Sequence, residues 1–131
     1  SLSNMKKLLL IILLFIGFRA PAQNPGTISG QFADKYVGQS MSVFGYVYKI
    51  SYDKPTHTMF AEFGSKSLTK GVILRLTSDE KLQANNINFQ DLKGHFITVT
   101  GKIIKNSKGE ICIDGDNRKT SIIVQQSYAI N

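Results

Sequence analysis

The sequence predicts an all-β domain: a small barrel of five strands with a short helix on its N-terminal side. Three observations carry this. Residues 38–49 and 94–105 share the pattern Gly-x4-Val-x-Gly-x-(Val/Ile)-x-Lys, offset by 56 positions. Segments rich in Val, Ile, Phe, Tyr and Thr recur along the chain and alternate in polarity, as half-buried strands do. Gly, Pro, Asn and Asp punctuate them at turn-like intervals. A glycine inside an apolar strand marks a bend, a bulge or a close backbone approach, and a small sheet needs one of these to close on itself.

The elements follow in order. Residues 23–30 carry Pro25, Gly26 and Gly30 and read as a flexible leader. In residues 31–36, Phe32 and Tyr36 lie four apart. A helix of one or two turns puts both on one side, over an apolar end of the domain. Ser40–Ile50 is the first strand, and Ser51–Pro55 a turn punctuated by Asp53 and Pro55. Thr56–Phe63 is the second strand and Gly71–Thr77 the third. Ser78 caps a short, irregular connector in which Leu82, Ile87 and Phe89 are apolar and Asn85-Asn86 breaks the run. Phe96–Lys105 is the fourth strand, Asn106–Gly109 a hairpin turn, and Glu110–Asp114 the fifth strand. After a further turn at Gly115–Asn117, Ser121–Gln125 extends the fifth strand or pairs with it.

Three strands, a connector and two strands, with glycine-bent first and fourth strands, is the layout of the OB-fold. An open β-sandwich of similar size is the rival, and periodicity alone does not separate the two. The strings Tyr36–Val47, Met59–Gly64 and Leu92–Ile103 resemble exported bacterial OB-fold domains. These are akin to the anticodon-binding-like OB superfamily and to OB modules found beside secreted nucleases. The resemblance covers about residues 30–125 and rests on structural glycines and apolar positions. It implies a fold and, by analogy, nucleic-acid binding; it supplies no catalytic residue.

Met5-Lys6-Lys7 leads into an apolar run, Leu8–Phe18, followed by Arg19-Ala20-Pro21-Ala22. This is the pattern of a secretory signal peptide, and the run is short of the ~20 residues that span a bilayer. The expectation is an exported protein, periplasmic or extracellular, with no stable membrane span once residues 1–22 are removed. An OB-fold domain would then occupy residues 31–126, with a tail at 127–131. The whole chain carries +7. Removing Lys6, Lys7 and Arg19 from its 16 basic residues leaves +4 against 9 acidic ones. Acidic partners are mildly favoured. Cys112 stands alone, so no internal disulfide is expected; it reads as a small buried strand residue.

The first strand is apolar on both sides. Met41, Val43, Gly45 and Val47 suit an interior, and Ile97, Val99, Gly101 and Ile103 match them on the fourth strand. Phe44, Tyr46 and Tyr48 are then expected to point outward. Arg75 and Lys102 are expected nearby, and Lys49 with them. Aromatic rings beside cations suit single-stranded nucleic acid, since bases stack and cations neutralise phosphates. Oligosaccharides use similar platforms. The candidate ligand-binding residues are therefore Phe44, Tyr46, Tyr48, Arg75 and Lys102. The bland reading is that Tyr and Phe are simply good strand residues, covered by the leader helix.

Other signals are weaker. Asp114-Gly-Asp116-Asn117 opens like a calcium loop but lacks the downstream bidentate Glu, and reads as a turn. His57 and His95 have no metal-ligand company. No nucleophile elbow or phosphate loop occurs. The expectation is a non-catalytic binding module without metal or cofactor. The alternative is a cell-envelope interaction or assembly module whose aromatic row meets a protein partner or a second copy.

Overall fold

The computed structural model describes residues 26–65 and 71–126. The signal-peptide pattern and the tail lie outside the described residues. Seven strands form: β1 (Thr27–Ser29), β2 (Ser40–Asp53), β3 (Thr58–Gly64), β4 (Val72–Leu76), β5 (Phe96–Lys105), β6 (Ile111–Asp114) and β7 (Ser121–Val124). A 3-10 helix, Gly30–Tyr36, precedes β2. A one-turn helix α1 (Glu80–Gln83) and a 3-10 turn, Phe89–Asp91, fill the connector between β4 and β5. The domain is all-β, as the alternation predicts.

One sheet holds every strand, in the order β1-β2-β3-β4-β6-β5-β7. Because β2 also pairs with β5, the pairings β2–β3–β4–β6–β5 return to β2 and make a closed circuit of five strands. These five are the predicted strands. Alternate residues of each point inward, and Val43, Val47, Phe63, Leu74, Ile97, Val99, Ile103 and Ile113 are fully buried. Each contributes roughly 1.5–3 kcal/mol of apolar burial. Leu82 and Leu92, from the connector, join the same core.

The structure departs from the sequence reading in four places. The sheet has seven strands, not five, because short segments at both ends of the domain pair with it. Thr27–Ser29, read as flexible leader, is β1, parallel to β2, with Ile28 packed on the core. β7 does not pair with β6; it continues along the same edge of β5, Val99 opposite Ile122. The N-terminal helix is 3-10, so its period of three aligns positions 30, 33 and 36. Ala33 is buried and Tyr36 half-buried, while Phe32 is exposed with Lys35 over its ring. Finally, the register of β2 slips between Val47 and Lys49 rather than at Gly45.

The duplicated motif has a structural meaning. The β2–β5 ribbon is centred on Val43 opposite Val99, which are equivalent positions of the two copies. Exchanging the copies maps the ribbon onto itself. Gly38 N–H donates to Ile103 O (2.7 Å), and Gly94 N–H donates to Val47 O (2.8 Å). Ile103 N–H donates to Gln39 O, and Val47 N–H donates to His95 O, both at 2.9 Å. Gly38 and Gly94 share a left-handed φ, +91° and +95°, which turns each lead-in segment onto its strand and favours glycine. Inside the ribbon, Met41 faces Gly101 and Ile97 faces Gly45. Each copy thus ends the other.

The free edge of β7 is covered by a side chain. Asn85 Nδ2 donates to Ile122 O (3.0 Å), and Val124 N–H donates to Asn85 Oδ1 (3.0 Å). One carboxamide stands in for a neighbouring strand and satisfies groups that would otherwise template further pairing.

Candidate functional site

The outer face of the β2–β5–β7 region is built by strand alternation. Two cross-strand rows lie side by side on it. In one, Tyr46 is opposite Phe96; in the next, Phe44 is opposite Thr98, which is opposite Ile123. Phe44 is 44% exposed, Phe96 45% and Ile123 61%. Tyr46 is half-buried and meets Phe96 edge-on, ring centroids 5.5 Å apart at 62°. Such an arrangement satisfies the ring quadrupoles and holds both rings in place.

The next two rows on this face are polar. Ser42 is opposite Thr100, their hydroxyls hydrogen-bonded at 2.7 Å, and Ser40 is opposite Lys102. Ser121, facing Thr100, extends the hydroxyl row, and Lys119 lies two residues before it. The face therefore runs from an aromatic end to a hydroxyl-and-lysine end. Phe44 and Lys102 sit four strand positions apart, ~13 Å.

Of the five residues predicted to form one site, Phe44 and Tyr46 are neighbours and Lys102 shares their face. Tyr48 and Arg75 are placed elsewhere. Tyr48 is the extra residue of the β2 register slip, so it leaves the row. Its hydroxyl is buried without a hydrogen-bond partner among the described residues. Burial, and secondarily the Glu62 charge, raise its pKa. Arg75 lies on β4, across the ring of strands. There Phe60 faces Arg75, which faces Asp114.

That second outer face is neutralised by its own charges. Arg75 Nη1 lies 3.4 Å from both Asp114 Oδ1 and Asp116 Oδ2, and Lys49 Nζ lies 3.6 Å from Glu62 Oε2. Asp116 also accepts hydrogen bonds from Thr77 N–H (2.9 Å) and the Thr77 hydroxyl (2.7 Å). Burial acts to raise its pKa, but these bonds and the Arg75 charge outweigh it and hold the carboxyl below its usual value. Lys81 Nζ donates to Gly115 O and Asn117 O, both at 2.7 Å. The Asp-Gly-Asp-Asn turn is thus a latch tying the β6–β7 loop to β4 and α1. Among the described residues, no group of three or more His, Cys, Asp or Glu is placed to hold a metal ion.

Two residues of the patch escaped the sequence reading. Phe96 had a signal: the alternation that puts Thr98, Thr100 and Lys102 outside puts Phe96 outside as well. Ile123 had none, because Ile122, Ile123 and Val124 are all apolar and their phase depends on which strand they join. Cys112 is buried, as its strand position predicts; burial and the nearby Glu110 raise its thiol pKa.

No family model matches this chain, and no curated protein matches it. Among solved structures it is similar to a provisionally assigned aspartyl-tRNA synthetase from Leishmania major Friedlin. The two are 9% identical with a TM-score of 0.49, over 81% of this chain and 22% of that one. No helix of the described residues is long and apolar enough to cross a membrane.

Proposed function

We propose that this chain is a non-catalytic binding module of OB type that takes an extended polymer on its β2–β5–β7 face, with single-stranded nucleic acid as the favoured ligand. The closed five-strand circuit, with a connector between its third and fourth strands, supports the OB assignment. The observation that carries the functional reading is three aromatic rings from two paired strands on one outer face, continued by a row of hydroxyls and Lys102. Rings accept bases at about 1–3 kcal/mol each, while lysine and hydroxyls suit phosphates. The sequence pattern of residues 5–22 supports export to the periplasm or beyond.

A titration with fluorescently labelled single-stranded oligonucleotide tests this at low and moderate salt. The expected result is binding that weakens with salt and falls about tenfold in Phe44→Ala and in Phe96→Ala. Lack of binding at low salt overturns it.

Ile123 favours a second reading. It is the most exposed large apolar side chain of the patch, and it has no π face for a base. Contiguous apolar surface of this kind also marks protein contacts. In that reading the face pairs with an envelope partner or a second copy. Light scattering that finds a dimer, lost in Ile123→Ser, would support it.

A further inference from the structure

A cleft of about 750 Å³ lies at the C-terminal end of β2, between the β2–β3 hairpin and the connector that leads to β5. The aromatic patch does not use it. Its apolar lining is Ile50, Met59 and Phe89; its polar lining includes Tyr52, His57, Asp79 and Asn88. After the β2 register slip, Ile50 pairs with Ala61 and Tyr52 with Met59, so Ile50 and Tyr52 fall on one side of the strand. The slip that removed Tyr48 from the aromatic row also aims these residues into the cleft.

Two further features distinguish it. His57 has φ +52°, a left-handed conformation for a non-glycine residue, which costs on the order of 1 kcal/mol. It is held there by its N–H donating to Lys54 O (3.2 Å) and by its Nδ1 lying 3.1 Å from the Tyr52 hydroxyl. This conformation closes the loop between Asp53 and Thr58 and brings the His57 ring to the rim of the cleft. The second feature is charge. Asp79 is the one acidic residue of the lining, and no Lys or Arg accompanies it. An anionic ligand would meet a like charge and no compensating cation. The cleft therefore suits a neutral ligand with an apolar face and a hydrogen-bonding perimeter, and its size is within the range of small-molecule sites.

We propose that this cleft binds a neutral pyranose ring. The C–H face of the sugar rests on Ile50 and Met59, which are only partly buried. Its hydroxyls donate to the Asp79 carboxylate and exchange hydrogen bonds with Asn88 and the Tyr52–His57 pair. The site is independent of the nucleic-acid reading, because it shares no residue with the aromatic patch.

The test is an NMR titration of the 15N-labelled chain with cellobiose, with chitobiose and with adenosine, each to about 10 mM. Shifts confined to residues 50–59 and 77–90 are expected with a disaccharide, at a dissociation constant on the order of 1 mM. Asn88→Ala and Tyr52→Phe should each weaken binding by about tenfold, with a dispersed spectrum showing that the fold is kept. Phe44→Ala should leave sugar binding unchanged. The proposal is overturned if neither disaccharide shifts the cleft residues, if adenosine alone does so, or if both cleft variants bind like the parent.

Discussion

The two ends of the β2–β5 ribbon share a scaffold and differ in surface chemistry. At one end Tyr46 faces Phe96; at the equivalent rung of the other, Ser40 faces Lys102. The backbone does not distinguish them, since Gly38 and Gly94 turn, bond and end their strands alike. The inward residues do not either: a valine pair at the centre, and a glycine opposite a larger residue on each side. Packing sets those positions. The outward ones differ: aromatic rings gather at one end, and hydroxyls with a lysine at the other. The same comparison separates the two outer faces. Around Arg75 the charges pair among themselves, while around Phe44 the surface is left apolar.

The sharpest way to break the equivalence is through the inner glycines. A Cβ added at Gly45 lies 2.7 Å from the Gly64 backbone, which has no side chain to move aside. Gly45→Val should cost about 3 kcal/mol or more, or abolish folding. At Gly101 the nearest atoms are Thr120 Oγ1 (2.8 Å) and Ile113 Cγ2 (3.0 Å), both side-chain atoms. Gly101→Ala should cost about 1–3 kcal/mol, less than Gly45→Ala, in urea unfolding. A larger loss at Gly101 would show that the Gly64 backbone is not the harder obstacle.

The outer turns sharpen it instead. Gly38→Ala and Gly94→Ala should each cost about 1–2 kcal/mol, and nearly equally, because each forces alanine into the same left-handed φ. Nothing lies within 4 Å of a Cβ at Gly38, and only the Tyr46 hydroxyl, at 3.9 Å, near one at Gly94. A clear inequality would mean that the local symmetry is not energetic.

The hydroxyl end depends on the Asp116 latch, which secures the loop into β7, and this gives it a pH dependence. The Asp116 pKa is depressed in the folded state. Its contribution is therefore present above the unfolded value, ~3.9, and lost as pH falls through the lower folded value. Asp116→Asn should lower the melting temperature at neutral pH, and the gap to the parent should close below about pH 4. A gap that does not narrow at all as the pH falls from about 4 would show that the carboxylate charge is not what holds the latch. Smallest of all, Phe44→Ser should cost about 1 kcal/mol, since nearly half of the ring is exposed, while weakening ligand binding. A large destabilisation would show that the ring supports the fold rather than a ligand.

How much of this is legible in the sequence follows the range of the interactions. Phe96–Lys105 is assigned to the residue, since strict alternation and a flanking glycine are local signals. Phe44 and Tyr46 share an outer face for the same reason. Tyr48 obeys the alternation too, and it misleads, because a register slip is imposed by the partner strand β3. Arg75 is the converse case. Its strand and phase are readable, but the side of the molecule it occupies depends on how the sheet curls.

The sequence alone determined the five strands of the closed circuit, the inward residues of β2 and β5, and the presence of aromatic residues on an outer phase. All are consequences of backbone stereochemistry and period-two burial, which act within a few residues. Only the tertiary structure decided which outward residues meet. It joined Phe96 and Ile123 to Phe44, sent Arg75 to the carboxylates of Asp114 and Asp116, and opened the cleft beside His57. It also turned the repeated motif into a symmetric ribbon. Those outcomes depend on strand pairing between residues far apart in the chain, where register and sheet closure, rather than local preference, choose the neighbours.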